Sequence, residues 1–292
     1  KSIESAIDSN LKKDYMIMHK IINFKDYGSN SSRTRTLVIG VTNELTNYIS
    51  PIDIFPKRQK EKTLREVIGK LKPLKEIGEI DSGDIYHFFR RYPEHMRNWI
   101  HDLKEGESAF DQECDEKKPH TIVDGKIKIN TNKTGDKYKR QFWDKVAPCI
   151  HTRNDQLASQ NTIHPKDDRV FSIRELMKIM TIPEDFKWTN EDVQTLNNMP
   201  IEKKVAFLKK EEINIRQSIG EAVPTEIFRQ IAENINNCLN RKNMSIREIN
   251  KIIVDEDLTD IKKLMEFLNS KKEMYSFTTL SKIAELSNTK RN

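Results

Sequence analysis

One segment constrains this chain more than any other. It runs from Arg169 to Trp188 and reads R-V-F-S-I-R-E-L-M-K-I-M-T-I-P-E-D-F-K-W. Ser172 stands three residues before Glu175. Its hydroxyl can accept from the Glu175 N–H while the Glu175 carboxylate reaches back to the Ser172 N–H, a reciprocal helix start. Ile173, Leu176, Met177 and Met180 then fall at helical spacing and make one apolar face. Pro183 closes the segment, because the residue before a proline is pushed out of the α region. Local physics alone reads this as a capped surface helix. A second segment, Arg216 to Pro224 (R-Q-S-I-G-E-A-V-P), interrupts two helical patterns. Gly220 and Pro224 predict a tight turn feeding a new helix, with the proline in its first turn. A plain helix–turn–helix junction would read the same way.

The 292 residues allow one large domain or two modest ones. Only 9 are glycine, which argues against Gly-rich phosphate loops. No apolar run approaches membrane-spanning length, and no signal peptide heads the chain, so no membrane partner is expected. Cys114, Cys149 and Cys238 are scattered and odd in number, which suits a reducing cytoplasm. The net charge of +6 is compatible with a nucleic-acid partner but is shared by many proteins that have none.

Along the chain, residues 1–13 predict an amphipathic helix through Ile3, Ala6, Ile7 and Leu11. Tyr15 to Phe24 predicts a strand, Asp26 to Asn30 a turn, and Thr36 to Val41 a second, buried strand. A boundary falls near Pro51, Pro56 and the charge run Lys57–Lys62. Thr63 then caps a helix through Leu64, Val67, Ile68 and Leu71. Asp84–Phe89 and Pro93–Leu103 read as short helical pieces. Asp124-Gly125, between Thr121–Val123 and Ile127–Ile129, is a type I′ hairpin signal. Further helices are expected after Asp192, after Pro200 through Val205, Phe207 and Leu208, and after Pro224 through Ile227, Ile231 and Ile235. Residues 241–292 are polar and helical. Met244 to Ile249 repeats the capping solution of Phe171 to Leu176. That tail suits a packing or partner module, or a small helix-turn-helix reader.

Several residues could carry chemistry. Arg33 and Arg35 alternate just before an apolar strand, so both would point to one side. They would form either a solvated edge or two guanidiniums aimed at phosphate or a base edge. Lys139 and Arg140, among Tyr138–Trp143, and Arg153 with Asn154 are candidate DNA contacts. Lys139, Arg140 and Arg153 suit phosphates. Arg153 or Asn154 could read a base edge. A basic solvated loop is the alternative. Cys149, His151 and His164 lack a third and fourth metal ligand at suitable spacing, and no metal is expected.

Taken together, three stretches resemble the DNA (cytosine-5)-methyltransferases. Asp26-Tyr27-Gly28 through Ser32-Arg33-Thr34-Arg35 resembles that family's D-Y-G-x-P-Q-x-R-x-R block. Arg169 to Phe186 resembles its R-x-L/F-S/T-x-R-E block, and the segment from Arg216 to Pro224 resembles its Q-x-G-N-A/S-V-P block. All three occur in the family's order. The resemblance implies that Arg35 touches the target cytosine, with Arg33 beside it. It implies that Gly220, Glu221 and Ala222 approach the methionine end of S-adenosylmethionine, and that Arg169, Arg174 and Glu175 are framework residues. The sequence departs from the pattern at Ser29-Asn30-Ser31, where the family carries a hydrophobic residue, Pro and Gln. It departs again at Glu221, which replaces Asn and would repel the cofactor's carboxylate.

The implied architecture is α/β. Residues 1–46 would be the last strands of a Rossmann-like catalytic sheet. Residues 47–165 would form a mixed α+β target-recognition domain. Residues 166–240 would be helices returning to the catalytic domain, and 241–292 a helical extension. The family's chemistry uses a Pro-Cys-Gln nucleophile, a Glu-Asn-Val acid and an F-x-G-x-G cofactor loop, on a base swung out of the duplex. None of those motifs occurs in this sequence. Pro148-Cys149 is followed by Ile150 and lies downstream of the Arg33/Arg35 block, so Cys149 reads as a small buried residue. The expectation is the DNA-recognition half of a restriction–modification methyltransferase, inactive alone. It would be either a fragment or one subunit of a split enzyme, partnered by an N-terminal catalytic half and double-stranded DNA. The alternative is a non-catalytic specificity protein with the same recognition fold.

Overall fold

The structure, a computed structural model, describes residues 3–46, 49–130 and 135–291. In chain order its elements are α1 (Ile3–Leu11), β1 (Tyr15–Asn23), β2 (Thr34–Thr42), α2 (Pro51–Ile54), α3 (Leu64–Ile68) and α4 (Arg97–Ile100). There follow β3 (His120–Val123), β4 (Lys126–Ile129), α5 (Ile173–Ile179), α6 (Val193–Asn197), α7 (Ile201–Glu221), α8 (Thr225–Leu239), α9 (Ile246–Asp255), α10 (Ile261–Lys271) and α11 (Phe277–Arg291). The residues gather into two compact units, one of 23–34 with 58–227, the other of 1–22, 35–57 and 228–292. These units divide the chain at other points than the four segments expected from sequence.

The first unit is built around α5. Ile173, Leu176, Met177, Ile179 and Met180 have no exposed surface, and Arg174 and Glu175 are buried with them. The expected surface helix is therefore buried at every position but Lys178, packed against α3 and α7. Burying each such side chain stabilises by roughly 1.5–3 kcal/mol, so this short helix anchors the unit. The reciprocal cap is present: Glu175 N donates to Ser172 Oγ at 3.1 Å and Ser172 N donates to Glu175 Oε2 at 2.7 Å. The helix stops before Pro183 requires it, because Thr181 takes a left-handed φ of 57°.

Other elements follow local chemistry. Thr63 and Glu66 make the same cap on α3. Asp84–Phe89 is a turn and not the expected helix. Asp84 Oδ1 accepts from Tyr86 N at 3.1 Å, and this competes with helical bonding. The 93–103 stretch is a 3-10 turn, Glu94–Met96, leading into α4. Val123 pairs with Lys126 in the β3–β4 hairpin, and Asp124 and Gly125 both take positive φ, as a type I′ turn demands. The largest departure is α7. It runs unbroken through Gly220 to Glu221, and the chain turns only at Ala222-Val223 before α8.

A second core in this unit joins Trp99, Ile100, Leu103, Ala109, Tyr138, Leu157, Ile163 and Val170. Few of these lie in regular elements, so polar side chains do the bracing. Arg140, only 3% exposed, donates to the carbonyls of His164, Asp167 and Ile100 and to Asp168 Oδ1 at 2.7 Å.

In the other unit β1 and β2 are hydrogen-bonded neighbours. Ile39 and Val41 are buried with Ile49, Ile54 and Cys238, while Val38 is exposed. β2 is thus half-buried, not the buried strand expected. A separate core of Ile249, Ile253, Leu258, Leu264, Phe267 and Ile283 unites α9, α10 and α11. Ser245 and Glu248 cap α9 as Ser172 and Glu175 cap α5. Among the described residues no helix is long and apolar enough to cross a membrane.

Candidate functional site

The three sequence blocks meet within the first unit. The turn after β1 is a 3-10 helix, Phe24–Tyr27, ended by Gly28 at φ 94°. Beyond it Ser29 and Ser31 are buried. Asn30 Nδ2 donates to Lys178 O at 2.8 Å, and Ser31 Oγ lies 3.8 Å from Met180 Sδ. The first block therefore sits on the end of α5. Small polar residues suit that place because each finds a partner within reach.

Arg33 links the first block to the third. Its guanidinium is buried, and Nη1 donates to Gly220 O at 3.2 Å and to Ala222 O at 3.0 Å. The expectation that Arg33 and Arg35 share one exposed face is corrected accordingly. Arg33 turns inward onto protein carbonyls, and Arg35 is exposed. The second and third blocks are joined by Thr225, whose hydroxyl donates to Thr181 O and whose N–H donates to Met180 O at 3.2 Å.

Gly220 has a use that its helical conformation hides. A Cβ there would lie 2.5 Å from His151 O, Thr152 Cα and Thr152 N. Glycine is required for close approach and not for a turn, which corrects the reading of this position as a turn glycine. The same contact bears on the cofactor. The Gly220 Cα face is filled by the 151–152 backbone, and the Gly220 and Ala222 carbonyls are already acceptors for Arg33. What stays open is the exposed Glu221 side chain, held by Gln217 Nε2 at 3.0 Å, and one half-buried turn. These residues alone do not enclose S-adenosylmethionine; they offer it at most one wall.

The second block is an ion-pair frame, as its resemblance implied. Arg169 is 1% exposed and holds both Glu175 oxygens at 2.7 and 2.8 Å, with Asp167 Oδ2 at 2.8 Å. Burial would raise the Glu175 carboxyl, but the charge of Arg169, with His164, holds it well below the usual carboxylate range. Burial, with the Arg169 charge, pushes the His164 imidazole down to about 4. Its Nδ1 accepts from Lys166 N at 3.2 Å and Asp167 N at 2.9 Å, so that nitrogen has no place for a proton. Arg174 pairs with Asp84 and donates to Glu184 O at 2.9 Å.

The DNA-contact candidates separate. Arg153 is exposed and Lys139 is half-buried, 3.8 Å from Asp136. Arg140 and Asn154 are each 3% exposed and bonded inside the protein. For Asn154 the partners are His151 O at 2.7 Å and Arg216 O at 2.8 Å. The reading of Arg140 and Asn154 as surface contacts is corrected: both brace loops. Sequence reasoning also missed Arg216, which is fully buried and donates to Glu212, Asn154 and Phe171 O. Its only signal was a charge at the first position of the third block. Cys149 is half-buried, and among the described residues no group of His, Cys, Asp and Glu could hold a metal ion.

Comparison with known proteins decides what this convergence belongs to. The profile of the C-5 cytosine-specific DNA methylases matches residues 2–237. The chain belongs to the C-5 cytosine-specific DNA methylase family. The methyl donor of this family is S-adenosylmethionine. Similar to it are the type II methyltransferase M1.HgaI of Avibacterium volantium, 27% identical over 247 residues, and the type II methylase M.HgiDII of Herpetosiphon aurantiacus, 27% identical over 222 residues. Those matches take in 80% and 76% of this chain but 59% and 55% of the relatives. The chain thus spans somewhat more than half the length of these curated relatives. A solved structure described as a DNA modification methyltransferase encoded within a prophage (E. coli) aligns with a TM-score of 0.51 at 16% identity, over 82% of this chain and 65% of that one. That likeness concerns the fold alone; this chain is mixed helix and sheet.

Proposed function

We propose that this chain is the DNA-recognition portion of a DNA (cytosine-5)-methyltransferase from a restriction–modification system. Its substrate is double-stranded DNA. The catalytic cysteine and glutamate come from an N-terminal half, made in the same polypeptide or as a separate subunit. The observation that carries this reading is the meeting of the three family blocks, with Arg33 bonded to Gly220 O and Ala222 O and Asn30 bonded to Lys178 O. Residues 148 to 189 positions apart in sequence would have no reason to converge in a chain that merely contained similar helices.

In this reading residues 1–46 complete a catalytic sheet, 47–165 recognise DNA, 166–240 return to the catalytic domain and 241–292 extend it. Arg35, exposed, contacts the target cytosine once it leaves the stack. Arg33 positions the end of α7. Lys139 meets phosphates, which fixes register without specifying sequence, and Arg153 faces a base edge. S-adenosylmethionine supplies the methyl group. The wall at Glu221 and Ala222 needs the N-terminal half to close it. The chain alone binds duplex DNA and transfers no methyl group.

Titration of labelled duplex DNA with the chain alone tests the first part. Binding that weakens steeply with salt, and weakens further in Arg153→Ala, is expected. No binding at any salt concentration would refute the reading. Binding retained while methylation never appears, even with the N-terminal half present, would favour a specificity protein.

A further inference from the structure

One loop of the first unit carries polar groups that none of the family blocks uses. We propose that Arg153, Gln156 and Gln160 read base edges in the DNA major groove and determine the target sequence of this chain. The inference rests on the DNA-recognition reading and assigns its specificity to named side chains.

The three line one open cleft of about 380 Å³, together with His151, Thr152 and Lys137. All but the half-buried Lys137 are exposed. Of the residues between them, Asn154 and Leu157 are buried, and the half-buried Ala158 and Ser159 line the cleft beside the outward side chains. Leu157 belongs to the second core, and Asn154 is clamped twice. Asn154 Nδ2 donates to His151 O and Arg216 O, and Arg216 Nη1 donates back to Asn154 O and Oδ1 at 3.3 Å each. Gly220 lies so close beneath His151-Thr152 that no side chain fits between them. At the far end Gln156 O accepts from the Thr162 hydroxyl at 2.8 Å and from Ser159 N at 3.1 Å. Gln160 pairs with Lys137 in an antiparallel bridge. The outward side chains thus stand on a base fixed at both ends, as a reading surface requires.

The chemistry of that surface favours bases over phosphates. The loop's carboxylate, Asp155, is withdrawn: its side chain is 10% exposed, with Arg90 at 3.4 Å and Arg153 Nε at 3.6 Å. A surface built only to attract phosphate would carry cations where Gln156 and Gln160 stand. A glutamine amide instead presents one donor and one acceptor side by side, which matches N6 and N7 of adenine. The forked guanidinium of Arg153 matches O6 and N7 of guanine. Lys137, a point charge at the rim, suits a phosphate.

The test is selection by this chain from a pool of random-sequence duplexes, followed by sequencing of the bound fraction. The wild type should enrich a motif containing both A·T and G·C positions. Gln156→Leu and Gln160→Leu should each erase discrimination at an A·T position by about 10-fold or more, leaving other positions unchanged. Arg153→Met should do the same at a G·C position. Lys137→Ala should weaken all sequences evenly. These side chains lie outside the core, so the variants should unfold at the wild-type midpoint. Full wild-type preference in all three variants would overturn the proposal. So would an even loss across sequences in the Arg153 and Gln variants, which would make them phosphate contacts. A wild type that binds DNA with no sequence preference would overturn this inference and leave DNA binding standing. A wild type that binds no DNA would remove the recognition reading itself.

Discussion

Arg169 and Glu175 show how much one buried pair can carry. Both are 1% exposed, and each satisfies the other through two hydrogen bonds. Glu175→Ala would leave Arg169 with only Asp167 and the Val170 carbonyl as partners in the core and would also remove the carboxylate half of the α5 cap. Breaking such a pair costs about 3–5 kcal/mol, so the urea midpoint of this variant should fall sharply. An unchanged midpoint would mean that the pair does not brace α5. His164, beside it, makes a pH prediction. Its folded value, about 4, lies below its ordinary 6.5. Between those limits the unfolded chain takes up a proton and the folded chain does not. The contribution is complete above pH 6.5 and fades as pH falls toward 4, by on the order of 3 kcal/mol. Urea titrations across that range should show the loss. His164→Asn, which keeps an acceptor for Lys166 N and Asp167 N, should flatten it.

At the scale of elements, α7 reverses a common rule. Replacing a helical glycine by alanine ordinarily stabilises by about 1 kcal/mol. At Gly220 the added Cβ would meet the His151-Thr152 backbone at 2.5 Å, so Gly220→Ala should destabilise, by about 1–3 kcal/mol. Thermal unfolding decides the sign. The sequence could not show this, because a glycine before a proline reads as a turn, and only the folded chain reveals what lies against it. The same limit explains Arg140 and Asn154. Both looked like surface polar residues in a basic stretch, and both are buried because the second core has few regular elements and uses side chains to satisfy its carbonyls. What was legible was chemistry local to a few residues. The caps at Ser172, Thr63 and Ser245 and the Asp124-Gly125 hairpin appear where their spacing placed them. Asp84 was misread by that same logic, since its side chain favours a turn as readily as a helix start.

At the scale of the molecule, the family was readable from three short blocks, and the structure adds that they converge. Arg33 is the hinge of that convergence, although the sequence suggested that it faces substrate. Arg33→Ala should therefore lower stability, by about 1.5–3 kcal/mol for each charged hydrogen bond lost, whereas Arg35→Ala, at an exposed position, should leave the unfolding midpoint near wild type. The reading that matters most is that this chain recognises DNA while an N-terminal half supplies the nucleophile. The direct test is transfer of labelled methyl from S-adenosylmethionine to unmethylated duplex DNA, by the chain alone and with that half added. The account predicts transfer only in the mixture, depressed in Arg35→Ala. Transfer by the chain alone would contradict it, and would turn attention to Cys149 as a nucleophile.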